Sequence, residues 1–276
     1  MKYCSINYKI INEQDAKISI NERGFLFGDG IFETILINNG KIYNFAAHYQ
    51  RLKNGLDSIK IIFDLSDLKA NIEKLIEKNN IKNSLIRIYI SRGIGSLGYL
   101  PKKDIKPLII IQERDLPTHN NQPINLYLGK ITKISKKSLP INNKIAQGLN
   151  STLAKMEAEE NDCFDSILLN ENDEICETSS ANIFWVKDKI LYTPHQDCGI
   201  LSGTMRQKII DLSPIKVIET KSKLAELKAA DEVFTSNISY KIIKVASINP
   251  DFQKYNNFNY SNILEKLITE DIKSDV

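Results

Sequence analysis

The sequence predicts a two-domain protein of mixed α+β and α/β character, with a small N-terminal α+β domain and a larger, strand-rich C-terminal domain. Its 276 residues are enough for two domains of ordinary size, and the 42% that are hydrophobic supply real cores. Short β-branched segments alternate with segments of helical period. The stretch "LPTHNNQP" is polar and bounded by prolines, as is typical of a linker. We therefore divide the chain into residues 1–115, a linker at 116–123, and residues 124–276.

The individual elements follow from local patterns. Helices are predicted over 46–59, 66–80 and 150–160, and strands over 85–91, 107–113 and 124–132. In the second helix four apolar residues share one face and Ser66 is placed to cap the start; these apolar residues are Leu68, Ile72, Leu75 and Ile76. In the third helix we expect Leu153 and Met156 on the buried side and Lys155 on the solvent side.

Composition excludes several classes of protein. Thirty-seven basic and 34 acidic residues are interleaved, so neither nucleic acid nor a membrane surface is indicated as a partner. The apolar runs are too short to span a bilayer and the N-terminus is too polar for a signal peptide, which predicts a cytoplasmic protein. The four cysteines form no CxxC pair and there are only three histidines, so we expect no disulfide framework and no metal site.

Five motifs spread along the chain carry a more specific signal. In chain order they are "FLFGDGIFETI" (25–35), "HYQRL" (48–52), "KIAQGLNSTLAKMEA" (144–158), "EICETSSANIFWVKDKILYTPHQDCGILSGTMRQKII" (174–210) and "ADEVFTSN" (230–237). As a set they resemble the class IV (fold type IV) aminotransferases, enzymes that use pyridoxal 5'-phosphate. The resemblance implies the fold of D-amino-acid aminotransferases, this cofactor, a small-molecule substrate and a homodimer.

A pyridoxal enzyme needs a lysine that bonds to the cofactor aldehyde and later moves a proton. In the family this lysine precedes the "LAKxEA" helix motif by about nine residues, which points to Lys144 and leaves Lys155 as a surface residue. Relatives often have asparagine three positions after the lysine, where this chain has Gln147. A register anchored on Asn150 instead would place Gln147 at the catalytic position. We prefer Lys144 because that register aligns the whole helix without a gap.

The resemblance also assigns the residues that hold the cofactor. Glu177 matches the carboxylate beside the ring nitrogen, whose protonated form accepts electrons from the substrate. Arg51 matches the phosphate arginine, and a guanidinium suits phosphate oxygens. The turn at Gly203 begins a helix, so the backbone N–H groups of Thr204 and Met205 are expected at the phosphate. Ser236 and Asn237 are expected on the other side of that phosphate.

Thr34 distinguishes among reactions on this fold. A hydroxyl there resembles the aminodeoxychorismate lyases, in which it helps to protonate the leaving oxygen. D-amino-acid aminotransferases have an arginine and a histidine where this chain has Leu97 and Tyr99, and branched-chain enzymes have asparagine and tyrosine where it has Gly148 and Leu149. The resemblance implies a 4-amino-4-deoxychorismate lyase that releases pyruvate and gives p-aminobenzoate, a folate precursor. A class IV aminotransferase of branched-chain or other small amino acids, and a non-catalytic homologue that binds the cofactor, remain alternatives. The residues that hold the substrate carboxylates stay open.

Overall fold

Two separate β-sheets organise the chain in a computed structural model, which describes residues 2–95, 98–250 and 254–275. One compact unit comprises Met1–Leu116, Asn143–Gln147 and Ile272–Val276, and the other comprises Pro117–Asn142 and Gly148–Asp271. The predicted mixture of helices and strands is confirmed. Lys144, which the sequence analysis placed in the C-terminal domain, belongs to the first unit.

Backbone pairing explains this position of Lys144. The N–H of Phe32 donates to the carbonyl oxygen of Lys144, and the N–H of Ala146 donates to that of Gly30, both at 2.9 Å. Residues 143–147 are therefore attached to a strand of the first unit, although they are distant from it in sequence.

The first unit contains a six-stranded antiparallel sheet with α-helices packed on one face. The strand order is β2-β1-β6-β5-β3-β4. The elements are β1 (Tyr3–Ile6), β2 (Lys9–Asn12), α1 (Arg23–Phe27), β3 (Gly30–Asn38), β4 (Lys41–Ile42), α2 (Phe45–Ser58), α3 (Leu68–Asn79), β5 (Ser84–Ser91) and β6 (Leu108–Arg114).

Strict alternation gives the two faces of this sheet different compositions. Odd positions of β3 and even positions of β5 enter the core with leucines and isoleucines of α2 and α3; from the strands these include Ile31, Ile35, Ile37, Ile86, Ile88 and Ile90. The intervening positions point to the other face, because successive side chains of a strand alternate. That other face carries Phe32 and Thr34 of β3, opposite Tyr89 and Arg87 of β5.

The second unit contains an eight-stranded sheet ordered β12-β11-β10-β13-β14-β7-β8-β9. A further pairing of β9 with β10 closes six of these strands into a ring. The elements are β7 (Ile124–Leu128), α4 (Leu149–Glu159), β8 (Asp165–Leu169), β9 (Ile175–Thr178), β10 (Asn182–Lys187), β11 (Ile190–Pro194), α5 (Thr204–Leu212), β12 (Val217–Thr220), α6 (Leu224–Lys228), β13 (Glu232–Asn237), β14 (Lys241–Asn249) and α7 (Asn259–Ser274).

The predicted elements correspond closely to α2, α3, α4, β5 and β6, whereas the predicted strand 124–132 ends at Leu128. Two details were wrong. Ser66 does not cap α3, because its hydroxyl donates to Asp64 at 2.9 Å and the N-cap residue is Asp67. Leu153 and Met156 of α4 are 44% and 51% exposed, since the helix packs through its alanines instead.

The small side chains Ala154 and Ala158 are fully buried, and they let α4 lie close to β7 and β8. Lys155 is exposed, as predicted. Within the described ranges, no helix combines the length and the apolar composition that crossing a bilayer requires.

Candidate active site

Lys144 lies beside an aromatic ring on the open face of the first sheet. Its Nζ is 4.5 Å from the centre of the Phe32 ring, and the guanidinium carbon of Arg87 is 4.3 Å from the same centre. Thr34 follows Phe32 on this face and stands opposite Arg87 in the strand register. An amine, a guanidinium and a hydroxyl are thus presented from one sheet face.

Arg87 was missed by the sequence analysis. The signal for it is present in "LIRIYIS", where a single arginine interrupts an otherwise apolar strand at a position that faces away from the core. Tyr89, two residues later, belongs to the same face. Burial, together with the charges of Glu22 and Asp29, raises the pKa of Tyr89 to about 12, so its hydroxyl keeps its proton at neutral pH.

The residues of the alternative assignments, Gln147, Asn150 and Lys155, have other roles in the structure. The Gln147 side chain donates through Nε2 to the carbonyl oxygen of Phe27. Asn150, the anchor of the alternative register, lies in α4 and donates to the Thr132 carbonyl oxygen at 2.9 Å. Lys155 donates to the carbonyl oxygen of Phe164 and its ammonium lies 4.2 Å from the centre of that ring. Of these residues, Lys144 is the one whose amine lies against Phe32, the ring that Arg87 also contacts.

Arg51 is held by a buried carboxylate. Its Nε donates to Glu33 Oε2 at 2.9 Å and its Nη2 donates to Oε1 at 2.5 Å, while His48 Nδ1 lies 3.3 Å from Oε2. Burial alone would raise the pKa of Glu33, but the charges of Arg51 and His48 outweigh it and hold that pKa well below its usual range. The bidentate pair fixes the orientation of the arginine predicted to bind phosphate.

Glu177 is the centre of the second unit's polar cluster. Lys133 Nζ lies 2.5 Å from its Oε1, and its Oε2 accepts from Asn182 Nδ2 at 3.1 Å and from the backbone N–H of Leu201 at 3.0 Å. Sequence analysis named neither Lys133 nor Asn182. Asn182 stands five residues after Glu177 in the quoted stretch 174–210, whereas nothing in the sequence connects Lys133 with Glu177.

Asn182 links Glu177 to the start of α5 and to β13. A Cβ atom on Gly203 would lie 2.0 Å from Asn182 Oδ1, so a larger residue there would displace the Asn182 side chain. Asn182 also stands opposite Ser236 in the β10–β13 register. The predicted residues Thr204 and Met205 form the first turn of α5, which has no side-chain cap. Glu177, the N-terminus of α5 and Ser236 therefore belong to one cluster within this unit.

Ser236 and Asn237 differ in what their side chains do. The buried Ser236 Oγ has no hydrogen-bond partner among the residues that the structure describes. Asn237 instead donates to the Ser180 carbonyl oxygen at 3.2 Å and accepts from the N–H groups of Ser239 and Tyr240. Ser236 thus has an unused donor, while the Asn237 side chain supports a turn.

The loop after β5 is held by a buried arginine. Arg23 donates to the carbonyl oxygens of Gly98 and Tyr99, both at 2.8 Å, and pairs with Asp29 at 2.7 Å. The Tyr99 side chain is 87% exposed and carries no charge. Leu97 lies outside the described residues. Across the described parts of the chain, no group of three or more His, Cys, Asp or Glu side chains is placed to hold a metal ion.

Comparison with known proteins identifies the family of this chain. The model of the family "Amino-transferase class IV" matches residues 30–248. A "Putative branched-chain-amino-acid aminotransferase" of Methanocaldococcus jannaschii is 31% identical, over 95% of this chain and 92% of that protein. The "Aminodeoxychorismate lyase" of Bacillus subtilis is 30% identical, over 88% and 85%. A "D-alanine aminotransferase" of Listeria monocytogenes is 28% identical, over 88% and 86%.

A solved structure shares the fold over nearly the whole chain. A "Putative 4-amino-4-deoxychorismate lyase" from Legionella pneumophila gives a TM-score of 0.85 with 26% identity, over 94% of this chain and 97% of that one. The relatives carry three different activities on one scaffold, so the choice among them depends on the residues of the site.

Proposed function

Since the chain belongs to the class IV aminotransferase family, we propose that this enzyme is a 4-amino-4-deoxychorismate lyase, which releases pyruvate and forms p-aminobenzoate. Its cofactor is pyridoxal 5'-phosphate. The observation that carries the proposal is the shared sheet face of Lys144, Thr34 and Arg87. A lyase acting on a dicarboxylate needs a base, a proton donor for the leaving oxygen and a cation, and these three side chains supply them.

The residues of the structure fit this cofactor. Glu177 accepts three hydrogen bonds, which leaves room for one more donor such as a ring N–H. The uncapped first turn of α5, with the N–H groups of Thr204 and Met205, suits a phosphate, as does the unpartnered Ser236 hydroxyl. Arg51 adds a fixed positive charge. The Asn237 side chain stabilises the turn after Ser236, because it accepts hydrogen bonds from the backbone of Ser239 and Tyr240.

The cofactor supplies an aldehyde that bonds to amines and a ring that accepts electrons. Lys144 would hold this aldehyde through its amine and, as a base, would take the proton from the substrate carbon that bears the amino group. Thr34 would donate a proton to the oxygen through which the enolpyruvyl group leaves, and the released enol tautomerises to pyruvate. Arg87 would bind a substrate carboxylate. Formation of the aromatic product then makes the step irreversible.

The direct test is incubation of the cofactor-loaded enzyme with freshly generated aminodeoxychorismate. We expect p-aminobenzoate and pyruvate in equal amounts, with both absent for Lys144→Ala. An enzyme that binds its cofactor at Lys144 but forms neither product would contradict the lyase assignment.

An aminotransferase is the second candidate, favoured by the 31% identity to the M. jannaschii protein. It would use Lys144 and Glu177 in the same roles but return a proton to the cofactor carbon, and so would need no acid at the leaving oxygen. Conversion of branched-chain amino acids, or of D-alanine, with 2-oxoglutarate would identify it. A homologue without catalysis would show the cofactor bound and no turnover in either assay.

We further propose a homodimer that acts in the cytoplasm. The first unit exposes large apolar side chains on α1, on the turn before it and on the loop that Arg23 holds. We call them the apolar patch: Ile20, Phe25, Tyr99 and Leu100, which are 78%, 68%, 87% and 86% exposed. Arg23 holds part of this patch together by binding Tyr99 from α1. Several exposed large apolar side chains on neighbouring segments are typical of a protein interface. A second copy of the chain is the occupant expected from the family resemblance.

A further inference from the structure

Lys133 is a buried lysine whose place in the fold is well defined. Its backbone N–H donates to the carbonyl oxygen of Leu169 at 2.8 Å, which anchors it at the end of β8. Its Nζ lies 2.5 Å from Glu177 Oε1, and the two side chains are only 11% and 7% exposed. Lysines are almost never buried without a charged partner, and such a pair is stable only when further hydrogen bonds satisfy it.

The carboxylate of Glu177 is satisfied except at one position. A carboxylate has about four lone-pair sites. On Oε2 both are used, by Asn182 Nδ2 and by the N–H of Leu201; on Oε1 Lys133 uses one. Among the residues that the structure describes, Lys133 is the one cation paired with this carboxylate. The remaining position is on the oxygen that Lys133 holds.

We propose that Lys133 is a positioning residue, which keeps Glu177 ionised and turns its remaining acceptor position toward the protonated ring nitrogen of the cofactor. The inference rests on the proposed function, which assigns Glu177 to that nitrogen. In a hydrogen bond between Glu177 and the ring nitrogen, the proton can be bound to the carboxylate or to the nitrogen. The Lys133 ammonium lies 2.5 Å from Glu177 Oε1, and a ring nitrogen that donates to this carboxylate would lie farther from the ammonium. The ammonium charge therefore favours the negative carboxylate, with the proton on the nitrogen.

Lys133 does not compete with Lys144 for the covalent role. The aldehyde carbon of the cofactor is para to the ring nitrogen, so an amine beside the nitrogen's carboxylate is at the opposite end of the ring. The two lysines therefore have different roles. Lys144 bonds to the cofactor, and Lys133 acts on the ring through Glu177.

The test measures whether the ring nitrogen of the bound cofactor is protonated. Enzyme loaded with cofactor labelled with ¹⁵N at the ring nitrogen is studied by ¹⁵N NMR, as wild type, Lys133→Met and Lys133→Arg. We expect the protonated-ring signal in wild type and Lys133→Arg, and a shift toward the neutral-ring signal in Lys133→Met. A Lys133→Met spectrum identical to wild type would overturn the proposal. Lys136→Met is the matched control, because Lys136 pairs with Asp197 at 2.6 Å in an exposed position.

Glu177→Gln separates failure of this inference from failure of the proposed function. If Glu177→Gln keeps the protonated-ring signal, Glu177 is not the partner of the nitrogen, and the role that the proposed function gives to Glu177 fails. If Glu177→Gln loses that signal and Lys133→Met keeps it, only the role of Lys133 is overturned. Should Lys133→Met not fold, as judged by circular dichroism, Lys133→Gln replaces it, because glutamine keeps a donor but removes the charge.

Discussion

Thr34 is the residue on which the choice of reaction depends most directly. Its hydroxyl is presented on the same sheet face as Arg87, and no other residue has been assigned the proton for the leaving oxygen. We expect Thr34→Val to lower kcat for p-aminobenzoate formation by about 10²–10⁴-fold, the range of general acid catalysis. Thr34→Ser should retain most of the rate. Cofactor affinity, measured by visible absorbance, should be the same in all three proteins; equal kcat for Thr34→Val would exclude the hydroxyl from the reaction.

The identity of the covalent lysine is a second prediction at this scale. Lys144→Ala should abolish the visible absorption band of the lysine-bound cofactor, because among the described residues Lys144 is the one lysine whose amine lies against Phe32. Lys155→Ala should leave the band unchanged, since the Lys155 ammonium is committed to Phe164. Absorption spectra of both variants, recorded with excess cofactor, show which lysine binds the cofactor. A band that survives in Lys144→Ala would show that the register chosen from the sequence is wrong.

Glu33 gives a pH-dependent prediction. Its pKa is lowered on folding, so its stabilising contribution is complete above the unfolded carboxyl pKa and is lost as the pH falls through the lower folded value. Glu33→Gln leaves Arg51 buried without its counter-charge and should cost about 3–5 kcal/mol at neutral pH. Urea unfolding should show a constant difference from wild type above about pH 5 and a smaller one in more acidic buffer. A difference independent of pH would contradict the ionised pair.

At the scale of residues, the sequence named candidates where a motif carries the chemistry, and it missed ion pairs between residues that are distant in sequence. Lys144 and Thr34 could be proposed because the motifs that resemble the family contain them. The ion pairs of Glu33 with Arg51 and of Lys133 with Glu177 join residues 18 and 44 positions apart. No spacing rule links such residues, since their contact depends on how strands and loops are brought together.

At the scale of elements, the start of α5 depends on the missing side chain of Gly203. An added Cβ would lie 2.0 Å from Asn182 Oδ1, and Asn182 in turn donates to Glu177. Gly203→Ala should therefore weaken cofactor binding and cost about 1–3 kcal/mol of stability, as overpacking does. Cofactor titration and thermal unfolding measure the two effects. Gly98→Ala is the control, because nothing lies within 4 Å of its added Cβ; equal behaviour of the two variants would refute the argument.

The elements themselves show which patterns are informative. In α3 large apolar residues alternate with charged ones, and the buried face formed by Leu68, Ile72 and Leu75 was predicted correctly. In α4 the same reasoning chose Leu153 and Met156 and was wrong, because a helix that approaches a sheet closely buries its alanines. Hydrophobicity alone does not reveal how near two elements come, and close packing favours small side chains.

At the scale of the whole molecule, the apolar patch predicts the oligomeric state. Light scattering after size exclusion should give twice the 31.4 kDa mass of one chain. Phe25→Glu places a charge in the patch and should produce monomers, because an unpaired charge is costly in an apolar interface. Ile263→Glu, at a 43% exposed position of α7, is the control. A wild-type protein of single-chain mass would contradict the homodimer.

The alternation of β3 and β5 also has an evolutionary consequence. Residues such as Ile35 and Ile88 maintain the core, while their neighbours Thr34 and Arg87 face away from it. Mutations at the second set can alter chemistry without disturbing the first, so descendants of one ancestor can acquire new activities by single steps and stay folded throughout. A laboratory selection for a different substrate should therefore find its first improved variants at Phe32, Thr34, Arg87 or Tyr89.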